Sequence, residues 1–191
     1  MPSGFAIFTK PMLNYPGKFT WTQVRNCGKE NPDYYTGEII LLINETTQSH
    51  GEFTCMCLQT APNVTIIGSQ TAGADGNVTK FPLIQRYYSA FSGIGVFYPD
   101  GTETQRIGIV PDFEVKPTIE GIRAGRDEVL EQGEMTAKEI IARKAAELRA
   151  QLAAELRAQQ IADSLAMDSL AMDSIQLAPI EMDSTTSDGD W

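Results

Sequence analysis

The chain has 191 residues, 42% of them hydrophobic and 8% aromatic, which suits one domain with a real core plus an appendage. Its formal net charge of −10 gathers near one end: residues 160–191 carry Asp163, Asp168, Asp173, Glu181, Asp183, Asp188 and Asp190 and no Lys or Arg. No basic stripe exists to neutralise phosphates, which argues against nucleic-acid binding. No apolar run is long enough for a transmembrane helix, and residues 1–20 lack the basic start, apolar centre and cleavage site of a signal peptide.

The three cysteines are an odd number, and Cys55 and Cys57, two apart on an expected helix, point to different faces. They suit core positions better than a disulfide or a metal site. A single histidine and no Cys-x-x-Cys argue against zinc, and neither a metal nor a cofactor is expected.

In chain order, residues 37–69 read as a strand-helix-strand unit. "GEIILLIN" is near-continuously apolar and β-branched, "SHGEFTCMCLQT" is helical, and "VTIIGS" is again a buried strand after the "APN" turn. Such strands flanking a crossover helix imply a parallel sheet covered on both faces. "TAGADGN", residues 71–77, is a loop of small turn-formers that lets backbone approach a ligand closely. The alternating stretch "YYSAFSGIGVFYPDGTETQRIGIV", with its Pro99-Asp100-Gly101 turn, reads as a hairpin. "PDFEVKP" ends the sheet, and "TIEGIRAGRDEVLEQ" reads as one closing helix begun by Thr118.

From Met135 the character changes. "AAELRAQ" occurs at 145–151 and 153–159, and "DSLAM" at 163–167 and 168–172, so an Ala/Glu/Leu/Arg helix gives way to an acidic, low-complexity end. The expected organisation is a domain over 1–131, a helical extension over 132–162 and a disordered tail over 163–191. Leu148, Leu152 and Leu156 share a helix face that suits either solvent or self-association through the 135–162 helix.

Ser49 stands where the first buried strand hands over to the helix. Ser49-x-x-Glu52 is a capping-box pattern, in which the Ser hydroxyl accepts from a backbone N–H and the Glu reaches back to the first free donor. The other reading is a nucleophile, which needs a base and an oxyanion site as well.

Three ordered stretches, "ILLINETTQSHGE", "TIIGSQTAGADGNV" and "RIGIVPDFEVKPT", resemble the C-terminal half of the core domain of the S41 serine peptidases, the C-terminal processing and tricorn-like proteases. Ser49-His50-Gly51-Glu52 matches the end of that family's S-x-S-x-S-E run, residues Thr71 to Asp75 fall on its T-x-G-K-G loop, and residues Gly108 to Val115 match its G-I-x-P-D-x-x-V signature. "PSGF", residues 2–5, looks like the end of the family's glycine-bearing oxyanion segment. The resemblance thus implies that the chain starts inside the catalytic domain and has little activity by itself.

The resemblance further implies an α/β fold related to the ClpP/crotonase group, a peptide or protein substrate, and export to the cell envelope or periplasm. It makes Ser49 the nucleophile, with the backbone N–H groups of His50 and Gly4 as oxyanion donors and Gly73, Ala74 and Asp75 in the substrate-binding loop. Where the processing proteases carry their catalytic Lys, this chain has Ala74, and Lys80 belongs to the next strand. The substitutes are His50, Asp75, a residue from a preceding segment, and a polar side chain before the third motif, Glu103 or Gln105. Loss of the base leaves a rival reading, a non-catalytic peptide-binding or scaffold protein of the same fold.

Overall fold

The computed structural model describes residues 2–176, and side chains as far as residue 167. It divides into two units, Met1–Ile140 and Ile141–Trp191.

In the first unit, "IILLI" forms strand β4 (Ile39–Ile43) and "VTIIG" forms β5 (Val64–Gly68), joined by helix α1 (His50–Leu58). The two strands pair in parallel, with Ile43 opposite Gly68, as the apolar runs on either side of a crossover helix require. Strand β9 (Phe113–Glu114) extends this sheet in parallel against Ile67 and Gly68. The backbones of β4 and β5 come so close that a Cβ on Gly68 would sit 1.8 Å from the Ile43 carbonyl oxygen, and Gly68 has φ 134°. Only glycine satisfies both conditions.

A second sheet is antiparallel. Its long strand β1 (Ser3–Pro11) pairs with β2 (Phe19–Trp21), β3 (Arg25–Cys27) and β8 (Gly95–Phe97). "PSGF" therefore opens a strand rather than ending one: "SGFAIFTKP" sends Phe5 and Ala6 into the core while its other side chains are partly or fully exposed. Helix α1 packs between the sheets. Phe53 meets Phe5 edge-on at 4.8 Å and stacks on Phe8 at 6.0 Å, and the core gathers Phe5, Ala6, Ile43, Cys55, Met56, Ile66, Val96 and Ile109.

Two expectations are redrawn. The stretch after residue 87 pairs with itself only in a short hairpin about the Pro99-Asp100-Gly101 turn, Thr104 N–H donating to Val96 O at 3.2 Å; its first part, β7 (Tyr87–Ser92), pairs back with β6 (Val78–Ile84), and the turn between them holds Gln85 at φ 51°. The Pro99-Asp100-Gly101 turn exists, but it closes only a short loop, Tyr98 N–H donating to Thr102 O at 2.8 Å, with Phe97 bridged to Glu103. The closing helix is two helices. Thr118 caps α2 (Ile119–Arg123), accepting from the Gly121 N–H at 2.9 Å, and Gly125 at φ 69° breaks the chain before α3 (Glu128–Gln176).

The start of α3 lies against β4, where a Cβ on Gly133 would come 3.0 Å from a Leu42 methyl. The second unit holds the rest of α3, in which Leu148, Leu152 and Leu156 are exposed. Helix α3 runs past residue 163 to Gln176, and the part of the expected tail beyond it lies outside the described residues. Among the described residues, no helix is long and apolar enough to cross a membrane.

Candidate active site

The loop after β4 delivers Ser49 to the first position before α1. Ser49 has φ 52° and ψ −119°, outside the extended range an N-cap residue ordinarily takes, in a region that favours glycine. Capping accounts for the nearby glutamate but not for this conformation. A serine at a tight strand-to-helix turn with positive φ is thrust out of the backbone, with its hydroxyl beside the N–H groups at the positive helix end.

Glu52 explains how the turn is held. On α1, Glu52, Cys55 and Met56 share the inward face at a spacing of three and four residues, so the carboxylate is carried into the core and is 1% exposed. A buried carboxylate is tolerated only when donors surround it. Four do: Ser49 N–H at 3.0 Å and Ala74 N–H at 2.9 Å on Oε2, Gly73 N–H at 2.7 Å and the Thr71 hydroxyl on Oε1. Thr71, itself buried, also accepts from Ile109 N–H at 2.7 Å. The first two motif stretches thus meet on one carboxylate, the third is joined to them through Thr71, and Glu52 clamps the 71–77 loop to the Ser49 turn. Further ties are Ala72 N–H to Thr47 O at 3.0 Å and Arg106 N–H to Gly73 O at 2.6 Å. Asp112, in the third motif, closes the sheet, its carboxylate accepting from Ile66 N–H at 2.8 Å.

Ser49 opens on a pocket walled by Phe8, Phe53, Ile94 and Val96 and edged by His50, Asp75, Gly76 and Asn77. The His50 ring lies over Phe53 at 6.2 Å. Asp75 is 6% exposed; its Oδ1 accepts from Gly76 N–H at 2.7 Å, while Oδ2 is buried with no hydrogen-bond partner among the described residues. Burial pushes its carboxyl above the usual range, Glu52 adding to the effect and the Gly76 N–H and His50 opposing it.

Ser49, His50 and Asp75 are therefore brought together. The N–H groups of Gly73 and Ala74 are spent on Glu52, which makes these residues part of the clamp. Gly4 lies at the far end of α1, beside Met56, Gln59 and Thr60, out of reach of Ser49. Glu103 binds Arg106, at 2.9 and 3.0 Å, and does not line the pocket. Gln105 reaches the site loop instead, its side-chain amide donating to the Asp75 carbonyl at 2.8 Å and the Ile94 carbonyl at 3.0 Å. Glu52 and Thr71 had a sequence signal: Glu52 begins the same inward stripe as Cys55 and Met56, where an unpaired carboxylate is excluded.

The model of peptidase family S41 matches residues 9–115. A carboxy-terminal-processing protease of Bartonella bacilliformis is 33% identical over 97 residues, which are 51% of this chain and 22% of that protein. A candidate peptidase of Parabacteroides merdae superposes with a TM-score of 0.59 at 22% identity, over 71% of this chain and 43% of that one. Mature CPAF in complex with lactacystin superposes with a TM-score of 0.50 at 25% identity, over 58% of this chain and 22% of that one. The chain belongs to peptidase family S41. It spans about a fifth of the length of the processing protease it matches.

Proposed function

We propose that this chain carries the nucleophilic centre of a serine endopeptidase, with a core related to the ClpP/crotonase group and Ser49 as the residue that forms the acyl-enzyme. One observation carries the reading: a non-glycine residue is held at φ 52° at a helix start, facing a pocket, by a buried carboxylate that ties the first motif to the second. Strain of this kind persists only where the surrounding structure over-determines it.

In the reaction, the Ser49 hydroxyl oxygen attacks a peptide carbonyl carbon and its proton leaves to a base. The oxyanion is held by the backbone N–H of His50 near the positive end of α1, and the intermediate collapses as the amine takes a proton and departs. Of the in-chain candidates for the base, the His50 imidazole and the Asp75 carboxylate share the pocket with Ser49, whereas Glu103 is bound to Arg106. Substrates are peptides or proteins, and the compartment is the cell envelope or periplasm, as for the C-terminal processing proteases this chain resembles.

A second reading rests on Ala74 at the position of the family's lysine: a peptide-binding protein of the same fold that has lost its base. Incubation with p-nitrophenyl acetate separates the two. An acetyl adduct on Ser49, absent from Ser49→Ala, supports the nucleophile; an unmodified chain supports the binding protein.

A further inference from the structure

The pocket beside Ser49 has a composition that the acyl-transfer chemistry leaves unused. Its walls are apolar, from Phe8, Phe53, Ile94 and Val96, yet Asp75 also lines it and carries a buried carboxylate oxygen, Oδ2, that has no hydrogen-bond partner among the described residues. Neither neighbour satisfies it. Glu52 is itself an acceptor with both oxygens taken, and no hydrogen bond joins His50 to this oxygen. The loop is not free to turn the carboxylate outward: Gly76 N–H holds Oδ1, Gln105 holds the Asp75 carbonyl, and Glu52 holds the Ala74 N–H. A buried acceptor fixed in this way calls for a donor from outside the fold.

We propose that this pocket takes the side chain of a lysine in the substrate, its methylene stem along the phenylalanine rings and its ammonium on Asp75 Oδ2. The inference rests on the reading of the pocket as the substrate site of Ser49. A lysine fits better than an arginine because Asp75 has one oxygen to offer. Oδ1 already accepts from Gly76, so the oxygen without a partner among the described residues is Oδ2; an ammonium meets that one oxygen as a point charge, whereas a guanidinium fork places two parallel donors. The apolar walls bury a stem of four carbons and leave the charge at its tip to the carboxylate.

The test is an NMR titration of the whole chain carrying Ser49→Ala, so that binding is read without any need for a working nucleophile. Four probes are compared: the methylamides of Nα-acetyl-lysine, Nα-acetyl-norleucine and Nα-acetyl-arginine, and glycine methylamide, which offers only an α-ammonium. The lysine probe is expected to move the Gly76 and Asn77 amide signals saturably, with an affinity roughly ten- to a hundredfold above norleucine, the range of a hydrogen bond to a charged group. Adding Asp75→Asn should erase that preference while the spectrum stays dispersed. Equal binding of lysine and norleucine, a preference for arginine or glycine methylamide, or a lysine preference that survives Asp75→Asn overturns the proposal. Should Asp75→Asn not fold, the lysine-to-norleucine ratio decides alone. Lysine binding to a chain whose Ser49 takes no acetyl group would leave this proposal standing and sink the nucleophile.

Discussion

Replacing Glu52 by glutamine tests the clamp on which the site depends. The two side chains are nearly isosteric, so packing against Cys55 and Met56 is kept. One carboxylate oxygen becomes an NH2 group, however, and must face two of the four donors now held: Ser49 and Ala74 N–H, or Gly73 N–H and the Thr71 hydroxyl. Each donor stranded in a buried place costs about 1–3 kcal/mol, so Glu52→Gln should destabilise the domain by about 2–6 kcal/mol. Against a usual stability of about 5–15 kcal/mol this is a large fraction, yet it leaves a measurable folded population in most of that range. Glu52→Ala strands all four donors and should cost more. Urea unfolding followed by circular dichroism gives the difference. A Glu52→Gln loss below about 1 kcal/mol would refute the view that this carboxylate holds the motifs together.

Three further outcomes follow from the same geometry. Ser49→Gly should be more stable than Ser49→Ala by about 1 kcal/mol or more, since glycine relieves the positive φ and alanine keeps it; equal unfolding midpoints would remove the strain from the account. Gly68→Ala should cost upwards of about 3 kcal/mol, because its Cβ meets a backbone carbonyl that cannot swing away; a loss under about 1 kcal/mol would mean that β4 and β5 are not so closely paired. Asp75→Asn should stabilise the protein at neutral pH. The folded-state pKa of Asp75 is raised above the ordinary 3.8, so the folded state holds the proton more tightly, and wild-type stability falls as pH climbs from about 3.8 through the folded pKa. The advantage of the variant should therefore open across that window and close below it, and an advantage confined to acid pH would contradict the burial of this carboxylate.

The βαβ unit was legible because its signals are local: two apolar β-branched runs, a serine at the turn and an apolar stripe on the helix. The β6–β7 hairpin is not legible, for the opposite reason. Its turn at Gln85 and Arg86 has none of the usual glycine, asparagine or proline signals, and Pro82 inside β6 masks a strand that tolerates it at a register shift. The break at Gly125 was visible as a glycine, but helical periodicity on both sides hid that its φ is positive. The site was half legible. Motif order brought Ser49 and the 71–77 loop together, whereas the centre of the clamp, Glu52, looked like a helix cap because one of its four bonds is a helix cap. Gly4 was placed by motif likeness alone, and its distance from Ser49 is set by the direction in which β1 runs along α1.

The most direct test of the central claim is the intact mass of this chain after incubation with a fluorophosphonate, with peptide mapping of any adduct. A single adduct on Ser49, lost in Ser49→Ala, is the predicted result and means that these residues activate their own serine. No adduct, or one mapped to another serine, would contradict it.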